Sequence, residues 1–263
     1  MTSPRLFDLA GRTALVTGAG RGIGRGVARA LAAAGAAVAV NDVDLGRAES
    51  VATELGEAGA KAVGLVADVT DARAVAELVA AAGSALGPVD ILVNNAGNAG
   101  AGRGYDGAFV PFWTSEPHSW QPWFAVNLFG VMLVSHAVLP GMVERGHGRI
   151  VTVVSDAGRV GEPYLVPYSA AKAGAAGFTR ALAREVGRHG VTVNAVSLGT
   201  VRDPADTREH DPDADAAQLR RYVVRRFGTP DDVAAAIRFL VSEEASWITG
   251  QTYPVNGGYS LNQ

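Results

Sequence analysis

Tyr168 and Lys172, in the run Tyr168-Ser169-Ala170-Ala171-Lys172, stand four residues apart. On a helix that spacing puts both side chains on one face, about one turn apart. An ammonium fixed beside a phenol favours the phenolate and lowers the phenol pKa. A phenol tuned in this way can take or give a proton near neutral pH. The pair therefore predicts acid–base chemistry at an oxygen. Tyr-x-x-x-Lys alone arises by chance in many helices; its weight here comes from three motifs upstream.

The first is Thr17-Gly18-Ala19-Gly20-Arg21-Gly22-Ile23-Gly24, between the apolar run Thr13-Ala14-Leu15-Val16 and an alanine-rich helical stretch, Val27 to Ala34. Strand, glycine turn and helix start form the setting in which such a motif binds phosphate. Glycines let the backbone approach a pyrophosphate, and the helix N-terminus offers free N–H groups. The spacing is Gly-x-x-x-Gly-x-Gly rather than Gly-x-Gly-x-x-Gly. The second motif is Asp42, closing the apolar strand Ala36–Val40. An acid at the end of a second strand accepts hydrogen bonds from an adenosine ribose and repels a 2′-phosphate. With Val43 following, it favours NAD over NADP, while Arg21 in the glycine loop pulls toward NADP. Asp68, after Ala62–Ala67, is expected beside the adenine with Val69, or as a helix cap near Thr70 and Asp71. The third motif is Asn94-Asn95-Ala96-Gly97 after the strand Val89–Val93; asparagine can hold a tight turn that lines a cofactor cleft.

These residues, in this order, resemble the short-chain dehydrogenase/reductase family over nearly the whole chain, from about Leu6 to Tyr259. The resemblance implies an α/β fold: one Rossmann-type domain over 1–263, with a doubly wound parallel sheet flanked by helices, a nicotinamide cofactor and hydride transfer at a carbon bearing oxygen. It implies Ser155 as catalytic serine, thirteen residues before Tyr168, and Asn127 as the asparagine of a proton relay with Lys172. It also implies a cofactor surface of Gly18, Gly20, Arg21, Gly22, Ile23, Gly24, Asp42, Asp68, Val69, Asn95, Ala96, Gly97, Tyr168, Lys172, Gly199 and Val201, with no metal. The chain departs from the family pattern after the sixth strand. Leu198 stands where proline is usual and Asp203 where a threonine usually reaches the nicotinamide amide. Thr200 is therefore doubtful in that role, and backbone groups near Val201 are the expected substitute. The runs His136–Arg145 and Ser155–Gly161 look like members that oxidise hydroxyacyl-CoA esters of alicyclic acids.

The length of 263 residues suits one α/β domain, and 48% apolar residues suffice for a large core. A net charge of −3 with no basic run argues against nucleic acid as the main partner. The absence of cysteine excludes disulfide and thiolate chemistry. No leader pattern and no apolar run long enough for a bilayer are apparent, so a soluble cytoplasmic protein is expected. Helical stretches are expected at Ala28–Ala37, Ala72–Ala85, Trp120–Arg145, around Tyr168 and at Asp231–Val241. Strands are expected at Arg149–Val154, Val191–Val196 and Gln251–Val255. Alternation of this kind predicts parallel strands with right-handed crossovers.

Two variable segments, about 98–126 and 199–226, are expected around the substrate. The first holds Tyr105, Phe109, Phe112, Trp113, Trp120, Trp123 and Phe124, including three of the four tryptophans. It reads either as a wall for a bulky apolar substrate or as an extension packed on the domain or on a neighbouring subunit. The second carries acids at Asp206, Glu209, Asp211, Asp213 and Asp215, then Arg220, Arg221, Arg225 and Arg226. Those bases read as the solvated face of a helix, or as receptors for coenzyme A phosphates. The expected partner is a small alcohol or ketone. The family resemblance adds a homotetramer or homodimer, paired through helices around Trp120–Arg145 and Ser169–Arg188, with the C-terminal Pro254–Gln263 reaching toward a neighbour. Rival readings are an NADPH-dependent 3-oxoacyl reductase and a cofactor-binding sensor without catalysis.

Overall fold

The computed structural model describes residues 6–98, 110–205, 207 and 211–261. Strands and helices alternate as β1 (Thr13–Val16), α1 (Gly22–Ala33), β2 (Ala37–Asp42), α2 (Leu45–Glu57), β3 (Ala62–Val66), α3 (Ala72–Leu86) and β4 (Ile91–Asn94). Next come α4 (Gln121–Phe124), a π-helical turn at Ala125–Gly130, α5 (Val131–Arg145), β5 (Gly148–Ser155), α6 (Ala157–Val160) and α7 (Val166–Val186). The chain ends through β6 (Val191–Leu198), α8 (Pro212–Leu219), α9 (Pro230–Val241) and β7 (Thr252–Val255). The seven strands form one parallel sheet in the order β3-β2-β1-β4-β5-β6-β7. This is the expected doubly wound α/β architecture. The winding reverses between β1 and β4, and that reversal opens a crevice at the carboxyl ends of the strands.

Period-two alternation along the strands feeds two cores. Val16, Val38, Val93 and Val196 face one layer, where they meet Val27 and Leu31 of α1 and Ile237 and Leu240 of α9. Leu15, Leu92, Ile150 and Val193 face the other, packing against Leu78 of α3, Val134 and Met142 of α5 and Leu182 of α7. With both faces covered, β1 and β4 are buried throughout, which is why they read as unbroken apolar runs.

Three expectations need correction. The helix expected through Ala37 ends at Ala33, because Gly35 takes φ +98 and turns Ala37 into β2. β2 starts at Ala37 instead of Ala36, and Asp42 closes it as expected. The stretch Pro117–Arg145, 29 residues of continuous helical turns, is long and apolar enough to cross a bilayer, contrary to the expectation. One of its faces packs on the sheet through Val134, Val138 and Met142, while Phe129 and Met132 on another remain exposed.

Candidate functional site

The carboxyl ends of β1, β4 and β5 bring the expected residues to one crevice. At the glycine loop, Gly18 and Gly22 adopt φ +60 and +55, where a side chain is strained. A Cβ on Gly24 would lie 2.4 Å from the Gly18 carbonyl oxygen and 2.5 Å from Asn95 Nδ2, so glycine is required for close packing. A Cβ on Gly22 would meet nothing within 4 Å. The N-cap of α1, Arg21, gives no side-chain hydrogen bond, so the first N–H groups of that helix are left without a side-chain cap. This arrangement fits a pyrophosphate. Ile23 is partly buried and packs on the core beneath.

The Asn94–Gly97 turn is stitched to the same loop. Asn95 Nδ2 donates to the carbonyls of Thr17 (3.0 Å) and Gly18 (2.9 Å), and Thr17 Oγ1 accepts from the N–H groups of Asn95 and Ala96 (both 3.1 Å). Asn94 instead donates to Ser135 Oγ (3.0 Å), tying α5 to the sheet. Asp68 is exposed, with Oδ1 accepting from the N–H and hydroxyl of Thr70. The cap of α3 is Asp71, whose side chain accepts from Arg73 and Ala74, and Val69 is buried beside it.

The Asp42 carboxylate is buried and well supplied with donors. Oδ2 accepts from the Gly20 N–H (3.1 Å), while Oδ1 accepts from the Asp44 N–H (3.1 Å) and from Arg47 through Nη2 (2.5 Å) and Nε (3.2 Å). Arg47 is absent from the expected set. The signal was local: the short turn after β2, capped by Asp44, brings the first turn of α2 back over the strand end.

At the other side of the crevice, Ser155 ends β5 and Tyr168 stands in the first turn of α7. The Ser155 hydroxyl interacts with the Tyr168 phenol. Lys172, one turn on, is buried; its Nζ donates to the Val153 carbonyl (2.9 Å) and lies 5.9 Å from the centre of the Tyr168 ring. Asn127 sits in the π-helical turn, a widened turn of a kind frequent at functional positions. It donates to the carbonyl of Asn98 (3.1 Å) and accepts from the Asn98 N–H (3.3 Å). Asn127 Oδ1 and Lys172 Nζ both crowd Gly97, at 2.9 and 3.3 Å from where a Cβ would be. The four expected residues Asn127, Ser155, Tyr168 and Lys172 thus share one pocket edge.

The electrostatics differ from the expectation. Burial raises the Tyr168 pKa, and the Ser155 hydroxyl pulls it back in part. Burial lowers Lys172 to about 8. Desolvation thus opposes the charge on both partners, while at neutral pH, below the Lys172 value of about 8, the ammonium beside Tyr168 is still mostly protonated.

The variable segments also close on this site. Trp123 is buried and packs edge-on against Tyr168, ring centres 5.6 Å apart, while Phe112 stacks on Trp120 at 4.9 Å. Trp113 is 85% exposed. Tyr105 and Phe109 lie outside the described residues, as do Asp206 and Glu209. Gly199 is confined between Tyr222 and the Asn256 carbonyl, and Val201 bridges to Gly228. Thr200 is engaged in docking α8: its Oγ1 accepts from Gln218 Nε2 (2.7 Å) and its N–H donates to the Tyr222 hydroxyl (2.7 Å). Arg202 pairs with Asp215 of α8. Asp203 holds its own turn by accepting from the Ala205 N–H. The arginines from Arg220 to Arg226 follow α8 instead of forming a helix face, since α8 ends at Leu219. Arg221 pairs with Glu162 and Arg226 with Asp232. Asp156, next to Ser155, is a further buried anchor, accepting from Ser197, Asn256, Ser260 and Arg159.

The chain matches the family model described as enoyl-(acyl carrier protein) reductase over residues 18–260. A Xanthobacter autotrophicus protein named inactive 2-(S)-hydroxypropyl-CoM dehydrogenase 2 is 43% identical over 229 residues, covering 85% of this chain and 95% of its own. From the same organism, 2-(S)-hydroxypropyl-CoM dehydrogenase 3 is 39% identical over 92% of this chain and 94% of its own. The 3-oxoacyl-[acyl-carrier-protein] reductase FabG of Vibrio harveyi is 39% identical over 95% and 98%. Among solved structures, a proposed short-chain alcohol dehydrogenase from Sinorhizobium meliloti 1021 superposes with a TM-score of 0.89 at 38% identity, covering 97% of this chain and 98% of that one.

Proposed function

Since the chain belongs to the short-chain dehydrogenase/reductase family, we propose that it is an NAD(H)-preferring enzyme of that family, interconverting a secondary alcohol and a ketone through Ser155, Tyr168, Lys172 and Asn127. The observation that carries this reading is the meeting of Ser155 with the Tyr168 phenol, in a fold whose glycine loop leads into the uncapped N-terminus of α1. A bound nicotinamide supplies the hydride acceptor for oxidation or the donor for reduction. The substrate oxygen lies between Ser155 and Tyr168. Tyr168 removes the hydroxyl proton in oxidation and returns it in reduction. Ser155 donates a hydrogen bond to the same oxygen as negative charge builds on it. Lys172 holds the nicotinamide ribose hydroxyls and passes protons, and Asn127 positions water that links Lys172 to solvent. Gly18 to Gly24 hold the pyrophosphate, Asp42 the adenosine ribose, Asp68 and Val69 the adenine side, and Asn95 to Gly97 with Gly199 and Val201 the nicotinamide half.

The whole chain, 1–263, acts as one nucleotide-binding domain in this reading. Trp123, packed on Tyr168, brings the aromatic segment beside the proposed reacting groups, which supports a bulky or ring-shaped apolar substrate. The named activities of the relatives, on hydroxypropyl-CoM and 3-oxoacyl carrier protein, support a substrate whose reacting carbon is borne on a larger carrier. Exposed Phe129 and Met132, one turn apart, support self-association into a dimer or tetramer. A 3-oxoacyl reductase using NADPH is the second reading, favoured by Arg21 and by the FabG relative.

Thermal stabilisation by NADH and NADPH, followed by a screen of secondary alcohols with the better cofactor, tests the proposal. A ligand that binds only the folded state raises the melting temperature. Stronger stabilisation by NADH and turnover of at least one alcohol are expected. Stabilisation by NADPH alone would favour the second reading, and stabilisation by neither would overturn both.

A further inference from the structure

Asp156 is a carboxyl side chain, 1% exposed, that the proposed reaction does not use. It follows Ser155 at the end of β5 and is held through both its backbone and its carboxylate. Its N–H donates to the Leu198 carbonyl (3.0 Å), closing the β5–β6 ladder at Ser155. Its carbonyl accepts from the N–H groups of Arg159 and Val160 (both 2.8 Å), which starts α6. Oδ1 accepts from Ser197 Oγ (2.6 Å) on β6 and from Arg159 Nη1 (3.2 Å). Oδ2 accepts from Asn256 Nδ2 (2.6 Å) and Ser260 Oγ (2.8 Å), both beyond β7. Four donors, two on each oxygen, match the acceptor capacity of a carboxylate. One buried side chain thus fastens the Ser155 turn to the end of β6 and to residues 256–260. The Ser155 hydroxyl is itself held by that turn, since its Oγ accepts from the N–H of Ala157 (3.2 Å), the residue after Asp156.

We propose that Asp156 is a positioning residue for the reaction: by tying the Ser155 turn to β6 and to residues 256–260, it fixes the Ser155 hydroxyl against Tyr168 and the substrate oxygen. The proposal rests on the reading of Ser155 and Tyr168 as the reacting pair. A donor stabilises charge on a reacting oxygen only from about 2.7–3.1 Å. A misplacement of about 1 Å can cost about a hundredfold in rate. An amide at position 156 keeps the shape but turns one oxygen into a donor. It then sets N–H against Asn256 on one side or against the Arg159 guanidinium on the other. The turn must shift to relieve that opposition, and Ser155 shifts with it.

The test measures nicotinamide-linked oxidation of the secondary alcohol turned over fastest in the screen above, with NADH affinity by calorimetry and stability by denaturation alongside. Asp156→Asn should lower kcat by about tenfold or more while the alcohol KM and the NADH dissociation constant stay within about threefold of wild type. In a Ser155→Ala background, with no hydroxyl left to place, the same change should lower kcat by less than about threefold. Ser260→Ala, at a partly exposed position, should lower kcat in the same direction by about threefold. A loss of kcat that persists undiminished in the Ser155→Ala background would make Asp156 a merely structural brace and overturn the proposal. So would wild-type kcat in Asp156→Asn or, if that variant does not fold, in Ser260→Ala. Impaired Ser155→Ala beside unimpaired Asp156→Asn overturns the proposal alone. A wild type without turnover, or full turnover in Ser155→Ala, overturns the reacting-pair reading and the proposal with it.

Discussion

Lys172 carries an opposition between stability and chemistry within one side chain. Its ammonium is desolvated, with one carbonyl partner, and its pKa falls from 10.5 to about 8. The folded state thus binds fewer protons than the unfolded state between pH 8 and 10.5. The cost of holding the charge is fully present below pH 8 and disappears as pH rises toward 10.5. At roughly 1.4 kcal/mol per pKa unit, that cost is on the order of 3 kcal/mol. Denaturant titrations of wild type and Lys172→Met should therefore show wild type gaining stability relative to the variant across this window; a flat difference would contradict the burial argument. The Tyr168–Lys172 pairing was legible because helical spacing alone places the two side chains. Arg47 on Asp42 had a local signal, five residues across one capped turn, that the sequence reading passed over; Trp123 on Tyr168 was not legible, because that contact joins two elements whose relative placement no local pattern states. The same holds for Asp156, whose partners lie 41, 100 and 104 residues away apart from its neighbour Arg159.

Among the elements, the glycine loop separates packing from binding. Gly24→Ala would force a methyl group against the Gly18 carbonyl and Asn95, neither free to move, and should cost about 1–3 kcal/mol of stability. Gly22→Ala enters open space and should cost only the left-handed strain, about 1–2 kcal/mol. Its methyl group nevertheless occupies the space assigned to the pyrophosphate. NADH affinity should therefore fall further in Gly22→Ala than its loss of stability suggests, as titration calorimetry beside denaturation would reveal. Similar NADH affinity in Gly22→Ala and wild type would place the pyrophosphate elsewhere. Strand, loop and helix were readable here because buried parallel strands and an alanine-rich helix leave strong patterns. The segment after β6 was less readable: its charges suggested a helix face, yet Arg202 and Gln218 fasten α8 to the β6 end, and the arginines beyond it pair with Glu162 and Asp232.

For the whole molecule, the sheet order places every proposed reacting group at one end, while the opposite end carries a separate charged cluster of Arg12, His147, Arg149 and Glu243. The helical stretch Pro117–Arg145 shows how sheet packing and an exposed apolar face together yield a composition that passes for a membrane span. If Phe129 and Met132 meet their copies in an assembly, light scattering at micromolar concentration should give a dimer or tetramer. Phe129→Glu should shift that population toward monomer, since a charge at a buried apolar contact is costly without a partner. A monomeric wild type would contradict the assembly.

The central claim is that Tyr168 moves the proton that accompanies hydride transfer. It is tested most directly by comparing wild type and Tyr168→Phe for nicotinamide-linked turnover and, in parallel, for NADH affinity by calorimetry. The account predicts that the variant loses turnover by about a thousandfold or more, within the range a general acid–base group supplies, while its NADH dissociation constant stays within about twofold of wild type. Wild-type turnover in Tyr168→Phe would contradict it.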